Sequence, residues 1–296
     1  MSSRSPVAPP RHQARSIMVR RIVSSLMTVV LAVTALVAVL PLVFILTHLI
    51  REGGGALDLD FFTKLPPPAG EEGGGMANAI AGTLLLAGVA AAIGLPVGIG
   101  AGLYLAEQRG TWLASTVRFL TDVLNGLPSI VMGIFAWQFL VRPVGHFSAL
   151  AGAVALGVMM IPLVTRATEE MVRTVPVALR EAALALGYPR WRTSLSIVLR
   201  TALPGIVTGA LVAVARIAGE TAPLLFTSFG NQFWSLALDQ PIAALPHQIY
   251  TYAISPYEAW HRLAWAGALV LITLVLCINV LARVATRSHA GARHGD

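Results

Sequence analysis

The sequence predicts an all-α, polytopic membrane protein with six transmembrane helices. Three observations predict it. Of the 296 residues, 56% are hydrophobic and only 12% are charged, where soluble domains run nearer a quarter charged. The apolar residues come in blocks, several reaching the roughly 20 residues that a helix needs to cross a hydrocarbon core about 30 Å thick. The net charge is +7, yet the basic residues flank the apolar blocks. That placement points to a bilayer and not to nucleic acid.

Residues 1–21 are polar, carry five arginines and read as an N-terminal cytoplasmic tail. A basic region followed by an apolar run is also how a secretory signal begins. Here the run continues from Ile22 to Ile50, well past the roughly 7–15 residues of a signal, so 22–50 is read as an uncleaved first span. Segment 51–76 contains Gly53-Gly54-Gly55, Pro66-Pro67-Pro68 and Gly73-Gly74-Gly75, and such runs break helices. Its acidic residues Glu52, Asp58, Asp60, Glu71 and Glu72 suit an extracytoplasmic position.

From 77 to 283 the chain reads as one transmembrane domain. Its spans are Ala77–Ala106, Phe119–Val141, Leu150–Thr165, Leu203–Phe226 and Leu263–Ala282. Between them lie a short loop, Glu107–Arg118, a charged stretch, Arg166–Arg200, and a loop at Gly230–Trp260. Pro128 is expected to kink the span that holds it. Residues 284–296 form a basic tail. With the N-terminus inside, sixteen arginines fall on inner segments and four basic residues on outer ones. Both termini are therefore expected in the cytoplasm of a cell-membrane protein.

Several chemistries are excluded. A P-loop requires Gly-Lys-Ser/Thr, and the only lysine, Lys64, follows Thr63. Gly98-x-Gly100-x-Gly102 has the glycine spacing of a dinucleotide fingerprint but lacks its strand and acidic residue. Small residues at this spacing let membrane helices pack closely. The seven histidines are scattered, and Cys277 is the single cysteine, so no metal site or intrachain disulfide is expected. The chain is read as non-catalytic, with no cofactor of its own.

Thr174–Gly205 carries more information. Pro176 can start a helix, Val177–Leu186 continue it and Gly187 stop it. Pro189 can open a second helix, on which Trp191, Leu195, Val198 and Leu199 form an apolar stripe. Two short amphipathic helices with a glycine hinge result. The pattern alone fits a hairpin on the lipid surface equally well. Glu181-Ala182-Ala183, with Gly187 four positions beyond and Ile197 ten beyond that, resembles the EAA loop of binding-protein-dependent ABC importer permeases. The resemblance implies a type I (MetI-like) permease fold whose loop, here 173–204, docks into an ATPase. Glu181 would pair with basic groups there, Ala182 and Ala183 would allow close approach, and Gly187 would make the bend. The family pattern usually ends Ile-x-Leu-Pro. Here Ile197 is followed by Val198, Leu199 and Arg200, which leaves the end of the second short helix open.

Leu124–Val131, Ala215–Phe226, Asn231–Ser235 and Ser255-Pro256-Tyr257 resemble the PstA-type permeases of phosphate importers. That resemblance covers about Ile22–Ala282. It implies a homologous second permease, two copies of an ABC ATPase that binds ATP and magnesium, and an extracytoplasmic phosphate-binding protein. The residues agree with an anionic cargo. Arg216 lies inside a span, where a charge costs about 2.5–3.5 kcal/mol on the insertion scale and usually faces protein or a wet cavity. Glu220, four residues on, is expected on the same helical face. Arg166 and Glu169 show similar spacing at the inner end of their span. Asn125 and Ser129, four apart around Pro128, are candidates to line the path. Each set also admits a structural role, as an internal ion pair, interfacial charge or packing. A same-fold permease for sulfate or molybdate, and a sensor or scaffold with no transport path, stay open.

Overall fold

The computed structural model describes residues 11–108 and 110–291. The first and last residues of the two expected tails, 1–10 and 292–296, lie outside them. The described residues are mostly helical: α1 (Arg11–Gly53), α2 (Leu59–Thr63), α3 (Ala77–Glu107), α4 (Trp112–Gly126), α5 (Ser129–Ala136), α6 (Arg142–Val144), α7 (Ala149–Arg173), α8 (Val177–Ala185), α9 (Arg190–Thr193), α10 (Leu199–Ala218), α11 (Ala222–Thr227), α12 (Leu245–Ala253) and α13 (Glu258–Gly291).

Two compact units divide at Arg51. The first holds the membrane-length helix α1 as far as Arg51, and α1 already contains Arg11–Arg21 of the expected tail. The second, from Glu52 onward, holds the remaining helices. Among the described residues, five helical segments are long and apolar enough to cross a membrane, and six if a sharply bent pair counts as one span.

That bent pair corrects the expected span Phe119–Val141. A kink was expected at Pro128; instead α4 and the helices after it meet at 104°. Leu127 and Pro128 are extended, with ψ of 134° and 137°. The proline ring disfavours helical backbone at the residue before it, so the helix stops at Gly126 and restarts at Ser129. α4 also begins before its expected span. Thr111 caps it, its hydroxyl accepting from the Ala114 N–H at 3.2 Å, the usual role of threonine at that position.

A second correction concerns Leu203–Phe226. α9 runs through a π-turn at Ser194–Val198 directly into α10. The hairpin's second helix is thus the start of the membrane span, one continuous segment from Arg190 to Ala218. The departure at Val198–Arg200 falls where the π-turn ends and α10 begins, so the second short helix has no separate end. The far end breaks early at Gly219, and Phe226 sits on the separate α11.

The core forms where α3 packs on α7 and α10 covers both. Leu86, Leu156, Met160, Ile217 and Leu224 are buried there. Glycines permit the close crossing. A Cβ at Gly98 would lie 2.7 Å from the Val164 Cβ, one at Gly102 2.5 Å from the Thr168 Cβ, and one at Gly94 2.8 Å from the Gly157 carbonyl. Gly100 meets nothing. The packing row is thus Gly94, Gly98 and Gly102, at the four-residue spacing that puts side chains on one helix face.

At the opposite end from the arginines, the segment after α11 folds back on the bundle. Ala149 and Leu150 donate to the carbonyls of Gln240 and Leu238 at 2.8 Å, and Leu245 donates to the Thr83 hydroxyl at 2.8 Å.

Candidate coupling surface and translocation cleft

The hairpin begins at Pro176, whose ψ of 135° sets the entry to α8. Gly187 has φ +84°, a conformation that L side chains resist. Around that turn Gly187 donates to the Leu184 carbonyl and Tyr188 to the Ala183 carbonyl. The turn folds the chain back over Ala183, which is only 2% exposed. Glu181 and Ala182 face outward. Of the two alanines expected to allow close approach, Ala182 is exposed and Ala183 packs within its own chain. Val177, Leu186, Trp191 and Leu195 add exposed apolar surface, and Arg192 lies over the Tyr188 ring. Arg180 points the other way: it pairs with Glu107 at the end of α3 and donates to the Val172 carbonyl near the end of α7.

Deeper in the chain, one cleft is lined by Leu124, Asn125, Leu127, Met132, Met159, Leu163, Arg216, Ile217 and Glu220. It brings together three residues singled out in the sequence: Asn125, Arg216 and Glu220. The expected shared helical face of Arg216 and Glu220 is not what joins them. α10 ends at Ala218, and Glu220 lies beyond the cap, its N–H donating to the Ile217 carbonyl at 3.1 Å. Among the described residues no ion pair links the two side chains. Ser129 is not part of this lining. The break at Leu127-Pro128 separates it from Asn125 and removes the one-face relationship that four-residue spacing implied.

Arg166 and Glu169 belong to a different cluster. The Glu169 side chain is 1% exposed and takes three guanidiniums: Arg118 at 2.7 Å and Arg173 on Oε1, and Arg166 at 3.1 Å on Oε2. Arg166 also pairs with Asp122. A buried carboxylate is costly unless compensated, and charge-assisted bonds to several arginines compensate it. Sequence reasoning missed Arg118, Asp122 and Arg173. The available signal was the four-residue spacing of Arg118 with Asp122 and of Glu169 with Arg173.

A multi-pass helical bundle with an exposed amphipathic hairpin at its arginine-rich end and a cleft lined by Asn125, Arg216 and Glu220 has the make-up of a membrane permease. The family described as binding-protein-dependent transport system inner membrane component matches residues 98–289, and the chain belongs to that family. The phosphate transport system permease protein PstA of Yersinia pestis is 51% identical over 244 residues, covering 82% of this chain and 83% of that one. PstA 1 of Mycobacterium tuberculosis (strain ATCC 25618 / H37Rv) is 39% identical over 277 residues, 90% of each chain. Among solved structures, the inward-facing MetNI methionine ABC transporter superposes with a TM-score of 0.61 at 22% identity, over 72% of this chain and 95% of that one. The bacterial alginate ABC transporter in complex with an alginate pentasaccharide-bound periplasmic protein gives 0.64 at 15% identity, over 91% and 96%. These two establish likeness of fold.

Proposed function

We propose that this chain is one permease subunit of an ATP-driven inorganic phosphate importer. The observation that carries the reading is the 51% identity to a phosphate transport permease across four-fifths of both chains. The cleft supports it chemically. Arg216 offers a guanidinium suited to an oxyanion, Asn125 offers an amide donor, and Glu220 stands by as a replaceable counter-charge. The subunit works beside a homologous permease, with phosphate passing between them. Two copies of an ATPase bind ATP and magnesium, and an extracytoplasmic binding protein delivers phosphate. Glu181, Ala182 and the turn at Gly187 face the ATPase. Arg166 and Glu169 belong to the gate below the cleft. Both termini are cytoplasmic.

The test is ATP-dependent uptake of labelled phosphate by the complete transporter in liposomes, with sulfate and molybdate as competitors. Arg216→Ala is expected to lower uptake about tenfold or more, the scale of one lost charge-assisted bond, with membrane insertion and ATPase binding retained. Equal competition by sulfate reassigns the cargo. Undiminished uptake by Arg216→Ala removes that residue from the path and favours a non-transporting role for the charge.

A further inference from the structure

We infer that Arg118 and Asp122 are positioning residues that latch α4 onto α7, and that opening this latch is how movement of the docking hairpin reaches the cleft. The inference rests on the transport reading above.

Arg118, Asp122 and Asn125 recur at the spacing of one face of α4, and Arg166, Glu169 and Arg173 at that of one face of α7. The first two of α4 are joined to α7 by ion pairs: Arg118 to Glu169 and Asp122 to Arg166. The third, Asn125, lines the cleft with Arg216. The seam that holds the ion pairs therefore leads into the cleft, and a shift of α4 along it changes the cleft's wall.

α4 is suited to shift. Of its residues only Ala114 and Thr121 are buried, while Trp112, Phe119 and Leu120 on its other side are 78%, 65% and 52% exposed. With so little buried packing, the ion pairs weigh heavily in fixing its position. Its far end is the extended Leu127-Pro128 link at the 104° bend, a hinge already formed.

The two pairs differ in kind. The Asp122 side chain is 56% exposed, and exposed pairs exchange readily. Glu169 is buried and keeps Arg166 and Arg173 when α4 leaves. The actuator is Arg180 of α8, bound to the Val172 carbonyl one residue from Arg173. A pull on α8 is delivered to the helical turn that carries Glu169, the partner of Arg118, with Arg166 on the turn before it.

The test uses the complete transporter in membranes, in a Cys277→Ser background with Thr121→Cys as a buried reporter of α4. N-ethylmaleimide labelling of that cysteine and phosphate uptake are measured for Asp122→Asn, Arg166→Gln and the double variant. A latch predicts that Asp122→Asn alone speeds labelling about threefold or more and that it adds less than about twofold in the Arg166→Gln background, where its partner is already gone, the non-additivity expected of a contacting pair. Where Arg166→Gln prevents folding, Arg118→Ala with Asp122→Asn is expected to speed labelling likewise. Unchanged labelling in every folded variant, or effects of Asp122→Asn and Arg166→Gln that simply multiply, overturns the latch. If labelling behaves as stated while the unmodified complex imports no phosphate, the latch stands and the transport reading falls.

Discussion

Arg180 donates through Nη2 to the carbonyl oxygen of Val172 at 3.1 Å. The acceptor lies in the last turn of α7, where carbonyls lack partners within the helix and a cation is favoured by the helix dipole. The same guanidinium pairs with Glu107, so one side chain fastens α8 to the ends of α3 and α7. Arg180→Ala should leave ATP hydrolysis running while phosphate uptake falls about tenfold, since a charged hydrogen bond is worth about 1.5–3 kcal/mol. Arg180→Lys should recover only part of the loss, because an ammonium lacks the planar fork that serves two acceptors. Paired uptake and ATPase measurements check this. Equal loss of both activities would instead indicate failed assembly.

The α3–α7 crossing gives a sharper pair of expectations. Gly98→Leu should destabilise the subunit by about 1–3 kcal/mol, the usual cost of overpacking, because its Cβ would meet the Val164 side chain. Gly100→Leu should be tolerated, since nothing lies within 4 Å of its Cβ position. Thermal unfolding of the purified complex in detergent distinguishes the two. Similar losses at both positions would contradict the observed crossing.

His247 predicts a pH effect on the segment opposite the arginines. Gly230 packs against its ring, where a Cβ would come within 2.6 Å. Burial pushes the His247 pKa below its ordinary value of 6.5, since burial disfavours the charged form. The folded segment thus binds fewer protons than the opened one as pH falls through 6.5, and its stability drops there; above that range both forms are neutral and stability is level. Protection against hydrogen exchange across residues 230–248, corrected for the intrinsic exchange rate at each pH, should be lower at pH 5.5 than at pH 7.5 (about one unit either side of that ordinary value). His247→Gln should flatten the difference. Protection that does not change with pH in the unchanged protein would refute it.

The class of fold was legible because hydrophobic block length and arginine placement are local signals that a bilayer enforces. The start of α8 and the bend at Gly187 were legible for the same reason: a proline and a glycine act on their own backbone. What was hidden depends on chain breaks and on partners distant in sequence. Four-residue spacing placed Glu220 with Arg216 and Ser129 with Asn125 on the assumption of unbroken helices. The ends at Ala218 and Gly126 left the first pair joined only by the cleft and divided the second. Glu169 read as half of an Arg166 pair. Its burial under Arg118, which is 51 residues away, needs the α4–α7 crossing to be seen.

The docking surface supplies the last prediction, in which backbone and charge are separated. Gly187 has open space around its Cβ position but a φ of +84°, so any effect of substitution there is conformational. Gly187→Ala should cost about 1–2 kcal/mol in local stability and weaken ATPase retention, and Gly187→Val should weaken it further through its β-branch. Glu181→Arg leaves the backbone alone and reverses one exposed charge, and an exposed pair is worth about 1 kcal/mol or less. Its effect should be smaller in pull-down of the ATPase and should shrink as salt is raised, whereas the glycine variants should be insensitive to salt. If Glu181→Arg proves the more damaging and its effect persists at high salt, the carboxylate is buried in the docked state, and charge rather than the shape of the turn governs docking.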